Sequence, residues 1–223
     1  MKKAYFVTGT DTGVGKTLVT SALLYAYQAR GMKTAGMKPV AAGCVEEGGQ
    51  LLSEDVAMIM AAGNVTAQFE QHNPYAFAQP IAPHIAAQES GEIMRPRVIL
   101  NAYNELTTLA DVVIVEGVGG FRVPLSQQID TADLAQMLNV PIILVVGMRL
   151  GCINHTLLTV EAIQTRGLEL AGWVANKIDP DMAAYEQNLQ TLDQFIPAPC
   201  FGVLPYFPQA DFKTAAAYLN LPV

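Results

Sequence analysis

Short runs of apolar residues alternate along the chain with segments in which apolar residues recur at helical spacing. Runs that are apolar throughout are typical of parallel strands covered on both faces. Their alternation with helices predicts an α/β fold with a parallel sheet and crossover helices. The predicted strands are residues 4–8, 34–39, 112–116, 141–147, 170–176 and 200–204. The predicted helices begin after residue 15 and otherwise cover 53–62, 97–109, 131–138, 154–167 and 182–195.

The chain has no repeat, low-complexity tract or linker that would divide it, so a single domain over residues 1–223 is expected. Residues 71–90, rich in Pro, Ala and Gln, show no clear period, and only Pro83 indicates a helix start there. In open α/β sheets, ligands bind beyond the carboxyl ends of the strands. Functional residues are therefore expected in the loops after Val7, Pro39, Val115, Gly147, Ala175 and Leu204.

Composition narrows the class of protein. The formal net charge of −7 disfavours a nucleic-acid partner, which requires a basic face. The longest apolar run, residues 140–147, is too short to span a membrane, and no signal-peptide pattern precedes the first strand. The three cysteines lack metal-ligand spacing, which suggests reduced thiols and a cytoplasmic location without a membrane partner.

The segment from Gly9 to Thr17, GTDTGVGKT, lies between the first predicted strand and the first predicted helix. In such a turn, backbone N–H groups and the positive end of the helix dipole surround a phosphate. Lys16 is placed to reach the outer phosphates, and the Thr17 hydroxyl to hold Mg²⁺. The strict G-x4-G-K-[ST] pattern is missed by one residue, because Thr10 stands where its first glycine is expected. The chain is predicted to bind a nucleoside triphosphate with a P-loop NTPase fold, a mostly parallel central sheet with helices on both faces.

Three more charged residues lie at predicted strand or helix ends. Glu116 ends a strand and precedes glycines, as a metal-site carboxylate would; the alternative is an acidic residue in a strand-end turn. Asp55 is either a third Mg²⁺ ligand or a first-turn acid that favours the helix dipole. Lys38 follows a strand, where its charge could stabilise a transferring phosphoryl group or could simply be solvated.

Two other strand ends offer binding groups. The segment from Leu150 to His155 leads into a helix with Asn154 predicted as its N-cap, and such a terminus could hold a carboxylate. The segment from Asn176 to Asp179 matches the N-K-x-D guanine-reading motif, but the Asp-x-x-Gly of GTPases is missing after the strand at 112–116. Asn176 is interpreted as a base-contacting amide, with the base left open.

These motifs together resemble the dethiobiotin synthetase family. The matching segments run in the family's order over nearly the whole chain: residues 8–17, 38–41, 83–84, 115–120, 150–155 and 171–176. The resemblance implies a homodimeric P-loop ligase of biotin biosynthesis that uses ATP, Mg²⁺, CO₂ and 7,8-diaminononanoate (7,8-diaminopelargonate). One amine becomes a carbamate, the carbamate attacks the γ-phosphate, and the second amine closes the mixed anhydride to the cyclic urea.

The resemblance also implies roles for individual residues. Lys16 and Lys38 would be catalytic, and Thr17, Asp55 and Glu116 would hold the metal. Nucleotide contacts would come from Gly13, Val14, Gly15, Lys16, Thr17, Leu18, Asp55, Glu116, Gly117, Val118, Gly119, Asn176, Lys177, Pro205, Tyr206 and Phe207. Substrate contacts would come from Ala42, Gly151, Cys152, Ile153, Asn154 and Tyr185, with the helix start at 151–154 supplied by the partner subunit.

Three positions depart from the family pattern. Gly13 stands where members often have Glu, and Ala42 where a Ser contacts substrate. Loss of that hydroxyl would cost about 0.5–1.5 kcal/mol if it made a neutral hydrogen bond. Tyr185 lies about one helical turn before the expected substrate-contacting Tyr.

Two further classes stay open. A regulatory or partitioning ATPase of the deviant P-loop group commonly has a second lysine in the loop, where this chain has Asp11. A GTP-binding switch is supported only by residues 176–179. The preference among ATP, CTP and GTP is also open.

Overall fold

The computed structural model describes residues 2–222. Its strands are β1 (Lys3–Gly9), β2 (Thr34–Met37), β3 (Val40–Ala42), β4 (Val45–Glu47), β5 (Gln50–Leu52), β6 (Tyr75–Phe77), β7 (Val112–Glu116), β8 (Ile142–Met148), β9 (Leu170–Lys177) and β10 (Cys200–Leu204). Its helices are α1 (Lys16–Gln28), α2 (Glu54–Ala62), α3 (Phe69–His72), α4 (Pro83–Ser90), α5 (Pro96–Leu109), α6 (Thr131–Leu138), α7 (Cys152–Thr165), α8 (Tyr185–Phe195) and α9 (Phe212–Ala216).

The central sheet has six parallel strands in the order β10–β9–β8–β1–β7–β2. Strand β1 lies in the middle, paired on both sides, and β2 lies at one edge. Val7 is in register with Glu116 of β7, and Gly9 with Val145 of β8. The loop that leaves β1 therefore begins beside the end of β7, at the edge of the sheet where ligands bind in this class of fold.

Helices cover both faces of the sheet, and β7 shows why. Its side chains alternate in direction, as in any strand. Val113 and Val115 pack in one hydrophobic cluster with α5 and α6, whereas Val112 and Ile114 pack on the opposite face with α1 and α9. All four side chains are buried, which explains why this strand is apolar throughout up to its last residue. The predicted fold class is confirmed.

The predicted long elements are confirmed, with ends shifted by up to three residues. The helix predicted at 182–195 begins at Tyr185, and Pro83 starts α4 as expected. Missing from the prediction are the short elements α3, α9, the parallel pair β3–β6 and the antiparallel hairpin β4–β5. Elements of three to five residues are too short to show a hydrophobic period, so the sequence gives little sign of them.

Both small sheets follow the edge strand β2. Strand β3 pairs with β6 from Val40–Tyr75 to Ala42–Phe77, and the hairpin β4–β5 comes next in the chain. In the chain, β3 and the hairpin β4–β5 lie between β2 and α2, whereas β6 follows α3. Across residues 2–222, none of the helices has the length and apolar character needed to cross a membrane.

Candidate nucleotide-binding and catalytic site

A cleft of about 860 Å³ opens at the carboxyl ends of the strands. This volume lies within the range of pockets that bind small molecules. The loops after β1, β2, β7 and β10 contribute to its wall, as expected from the fold. The predicted site residues that line it are Gly13, Gly15, Lys16, Thr17, Leu18, Lys38, Ala42, Asp55, Glu116, Val118 and Gly119.

The glycines of the loop after β1 are required by close contacts and by backbone conformation. A Cβ atom on Gly9 would lie 2.6 Å from Val14 Cγ2. Gly15 has φ 89°, and a Cβ atom there would lie 2.1 Å from Asn176 Nδ2. Gly13 also has a left-handed backbone, with φ 72°, but no atom lies within 4 Å of its Cβ position. A side chain therefore fits at Gly13, at a backbone cost of about 1–2 kcal/mol.

Lys16 is the first residue of α1 and is buried. Its Nζ donates a hydrogen bond to the Asp11 carbonyl oxygen, 3.0 Å away within the same loop. Burial lowers the pKa of Lys16, an effect that the nearby Glu116 carboxylate partly offsets. The first turn of α1 contains no acidic residue, so no side chain there competes for the positive end of the helix dipole. The loop and helix start thus form an anion site.

Lys38 lies between two carboxylates. Its Nζ is 2.6 Å from Glu116 Oε1 and 2.7 Å from Asp55 Oδ2, and the Thr17 hydroxyl donates to Glu116 Oε1 at 2.9 Å. Lys38 and Glu116 are buried, whereas the Asp55 side chain is about half-exposed.

These contacts set the protonation states. Burial by itself would lower the pKa of Lys38, but the Glu116 and Asp55 carboxylates outweigh it, so the pKa is raised above 10.5. Burial would raise the pKa of Asp55, but Lys38 outweighs it, so the pKa falls below 3.8. The contribution of Lys38 to folding stability is lost only as the pH rises through its raised pKa. The contribution of Asp55 to folding stability is lost only as the pH falls through its lowered pKa. Both groups are charged at neutral pH.

The donor atoms here fit Mg²⁺. Thr17, Asp55 and Glu116 offer the hard oxygen atoms that Mg²⁺ prefers. Glu116 Oε2 is buried and has no hydrogen-bond partner among the described residues. Residues 2–222 contain no group of three or more His, Cys, Asp or Glu side chains that could hold a metal by themselves. A metal at this position would therefore take its remaining ligands from phosphate oxygens and water, as Mg²⁺ does beside bound phosphates.

Several residues predicted to contact the nucleotide lie outside the wall of the cleft. Val14 is buried beneath the loop, and its carbonyl oxygen accepts a hydrogen bond from Asn176 Nδ2 at 2.9 Å. Gly117 directly follows Glu116, and its amide donates to the Val7 carbonyl. The Asn176 amide thus supports the phosphate loop, and its contact with a base stays a prediction.

The remaining residues assigned to the base pocket follow β9 and β10. The Lys177 ammonium lies 5.0 Å from the centre of the Tyr185 ring, and the segment from Pro205 to Phe207 is partly exposed. Ala210, a few residues later, does line the cleft. The loop after β10 thus reaches the cleft at Ala210, and the contact of residues 205–207 with a base stays a prediction.

On the substrate side, the structure corrects the predicted cap. Gly151, with φ 94°, is the N-cap of α7, and the helix begins at Cys152, so Asn154 is a helical residue rather than the cap. A left-handed glycine ends the preceding loop and starts the helix early. Of the predicted substrate contacts, Ala42 lines the cleft, whereas Tyr185 and residues 151–154 do not.

Sequence reasoning missed part of the cleft wall. The missed residues are Asp11, Thr12, Met58, Pro80, Ile81, Ala82, Pro83, Gly120, Val123 and Ala210. Pro80 to Ala82 belong to the stretch at 71–90 that had no clear period, and an aperiodic Pro-rich tract is itself a sign of a loop. Asp11 forms an ion pair with Arg149, from the loop after β8, and nothing in the sequence pattern connects these two residues.

A parallel sheet with β1 at its centre, a glycine-rich loop, and a lysine and threonine at the start of α1 define a P-loop nucleotide-binding protein. Solved structures share this fold: the septum site-determining protein MinD complexed with Mg-ADP from Pyrococcus horikoshii aligns with a TM-score of 0.58 at 16% identity, over 93% of this chain and 83% of that one. The signal recognition particle receptor FtsY from Elizabethkingia anophelis aligns with a TM-score of 0.51 at 15% identity, over 97% and 65%. At such identities the likeness concerns the fold alone.

Comparison of sequences is more specific. A family model described as an AAA domain matches residues 3–214. An ATP-dependent dethiobiotin synthetase of Aromatoleum aromaticum is 54% identical over 99% of this chain and 98% of its own length. That of Cellvibrio japonicus is 50% identical over 99% and 96%. The chain belongs to the ATP-dependent dethiobiotin synthetase family.

Proposed function

We propose that this protein is a ligase that carboxylates 7,8-diaminononanoate with CO₂ and closes the product to dethiobiotin, with conversion of ATP to ADP and phosphate. The observation that carries the proposal is the position of Lys38. It places a second buried ammonium beside the phosphate loop, in contact with Glu116 and Asp55. The family to which the chain belongs supports this reaction over a regulatory ATPase or a GTP-binding switch.

The reaction requires a carbamate on one substrate amine to attack the γ-phosphorus of ATP, with ADP as the leaving group. The second amine then attacks the carbamoyl carbon, phosphate leaves, and the cyclic urea is formed. Both transition states carry dispersed negative charge on phosphate and carboxylate oxygens, so positioning and electrostatic stabilisation supply most of the catalysis.

The residues of the cleft divide these tasks. Backbone N–H groups at the start of α1 and the Lys16 ammonium bind the triphosphate. Lys38 stabilises charge on the transferring phosphoryl group from the neighbouring strand end. Thr17, Asp55 and Glu116 would hold Mg²⁺, which when bound neutralises charge on the phosphates. Pro80 to Ala82 and Ala42 also line the cleft.

The first test is the reaction itself. Purified protein supplied with diaminononanoate, ¹³C-bicarbonate and Mg-ATP is expected to give a cyclic urea with ¹³C at its carbonyl carbon, and one ADP per urea. Removal of Mg²⁺ with EDTA is expected to stop ADP formation, and omission of the diamine to reduce it to background. Parallel reactions with CTP and GTP measure the nucleotide preference. Hydrolysis of ATP or GTP without formation of the urea would contradict the proposal.

We also propose that the active unit is a homodimer in which Gly151 to Asn154 of the partner subunit receives the substrate carboxylate. In their own chain these residues lie outside the cleft, and Gly151 and Asn154 are exposed whereas Cys152 is buried. Leu150 is 93% exposed and Leu158 is 58% exposed, and a partner subunit on this face would cover them.

Mixing two inactive variants tests the shared site. Lys38→Met removes the phosphoryl-side charge, and Asn154→Asp repels the substrate carboxylate. If each site uses both subunits, a mixed dimer has one doubly altered site and one intact site. After subunit exchange, activity is expected to return to about a quarter of wild type, because about half of the dimers are mixed. Absence of recovery, with exchange confirmed by mass spectrometry, would place both groups in one chain.

A further inference from the structure

Strand β2 carries Lys38 to the cleft but has a neighbouring strand on one side only. Its other edge would leave backbone groups unpaired unless other segments cover them. The dipeptide His72-Asn73, at the end of α3, covers the carboxyl end of this edge. Both residues are 3% exposed.

The contacts of this dipeptide are concentrated on Lys38. The Lys38 backbone amide donates to the His72 carbonyl oxygen at 2.8 Å, and the Lys38 carbonyl oxygen accepts from Asn73 Nδ2 at 2.7 Å. The same Nδ2 donates to the Tyr75 carbonyl oxygen at 3.0 Å. The amide of Lys38 is therefore hydrogen-bonded to His72 and its carbonyl oxygen to the next residue, Asn73. Only the second of these bonds is made by a side chain.

The dipeptide is itself fixed to the strand. His72 Nδ1 lies 2.6 Å from the Gly36 carbonyl oxygen, and since a carbonyl oxygen only accepts, Nδ1 carries the proton. The Tyr75 amide donates to the Pro39 carbonyl oxygen at 3.1 Å and begins the β3–β6 ladder. Asn73 therefore lies between two fixed points, and its side chain has little freedom to move away from Lys38.

We propose that Asn73 is a positioning residue for Lys38, which holds the Lys38 backbone so that its ammonium lies between Asp55 and Glu116. The proposal rests on the proposed function, because Lys38 is taken there to act on the transferring phosphoryl group. Glu116 comes from β7 and Asp55 from α2, so the ammonium keeps both contacts of 2.6 and 2.7 Å only if its own backbone is held at a defined place.

The chain provides a matched control at the other end of the same strand. Asn64 Oδ1 accepts from the Thr34 amide at 2.8 Å, and Asn64 Nδ2 donates to the Met32 carbonyl oxygen at 3.0 Å. This side chain also covers the free edge of β2, but four residues before Lys38. A purely structural role predicts that replacing either Asn acts through stability, whereas a positioning role predicts that only Asn73 affects the reaction.

The test compares Asn73→Ala with Asn64→Ala in the full-length protein. For Asn73→Ala, kcat for dethiobiotin formation is expected to fall about 10- to 100-fold, because displacement of a catalytic group by about 1 Å has an effect of this order. The Kd for ATP is expected to stay within about threefold of wild type, because no hydrogen bond of residues 72–73 goes to Lys16 or to the phosphate loop. For Asn64→Ala, kcat is expected to stay within about twofold.

Two additions keep the result decisive. If Asn73→Ala does not fold, Asn73→Ser, which retains one hydroxyl donor, is expected to fold with a several-fold lower kcat. Crystal structures are expected to show Lys38 Nζ displaced from Glu116 in the Asn73 variant and unmoved in Asn64→Ala. An Asn73 variant with wild-type kcat, or with Lys38 unmoved, would overturn the proposal. If the wild-type protein makes no dethiobiotin, the proposed function fails, and the crystal structures still decide the position of Lys38.

Discussion

Replacement of Lys38 with methionine is expected to lower kcat for dethiobiotin formation by about 100- to 1000-fold. Methionine keeps much of the length of the side chain but removes the charge that lies between Glu116 and Asp55. That charge would act on the phosphoryl group in the transition state, so its loss should appear in kcat more than in the Kd for ATP. Steady-state kinetics together with isothermal titration of ATP separate the two quantities.

The same substitution should also affect folding. Glu116 is buried and would lose its cationic partner, and breaking a buried ion pair costs about 3–5 kcal/mol. Circular dichroism must therefore confirm that the variant is folded under assay conditions. Lys33→Met is the control, because Lys33 is an exposed lysine just before the same strand. A folded Lys38→Met protein with a kcat close to that of the control would show that Lys38 has no part in the chemistry.

Gly15→Ala is expected to weaken ATP binding by about 100-fold or more. The new Cβ atom would lie 2.1 Å from Asn176 Nδ2, and the left-handed backbone at φ 89° adds about 1–2 kcal/mol for a residue with a side chain. The loop relieves both by moving, and it then loses the hydrogen bond from Asn176 to the Val14 carbonyl. When ATP binds, the loop must return to its original conformation, and the free energy that this requires lowers the affinity for ATP measured by calorimetric titration.

Gly13→Ala separates the effect of the left-handed backbone from the effect of the close contact with Asn176. Gly13 has the same left-handed backbone as Gly15, but its Cβ position is open. The expected loss of ATP affinity is about 5- to 30-fold, since only the backbone cost of about 1–2 kcal/mol applies. Equal losses in the two variants would show that the contact with Asn176 is unimportant for the shape of the loop.

The elements that the sequence predicted well are those with a strong local signal. Strand β7 is a run of buried apolar residues that ends in Glu116, and its bounds agree with the prediction. The loop from Gly9 to Thr17 carries its own pattern of glycines, lysine and threonine, so the sequence predicts a phosphate site there, and the loop does line the cleft. Lys38 was predicted at the carboxyl end of its strand. Because the carboxyl ends of parallel strands lie on the same side of the sheet, the sequence also placed Lys38 near the phosphate loop.

The remaining features depend on contacts between distant segments. Asn154 was wrongly predicted as a cap because Asn is favoured there, whereas the left-handed backbone of Gly151 decides where α7 begins. The hydrogen bond of Asn73 with Lys38 spans 35 positions of the sequence, and that of Asn176 with Val14 spans 162. No local sequence pattern predicts either contact. The ion pair of Asp11 with Arg149 likewise exists only once β1 and β8 are neighbours.

The position of β2 at the edge of the sheet has a consequence for how such a protein can change. The triphosphate end of the cleft is attached to β1, which is paired on both sides, so insertions there would disturb the core. The segment after Lys38 leaves from a boundary strand and continues into the exposed hairpin β4–β5. Changes across residues 45–50, which are all exposed, are therefore expected to leave the phosphate loop in place. The protein can therefore vary on this side of the molecule while the loop that would bind the triphosphate stays the same.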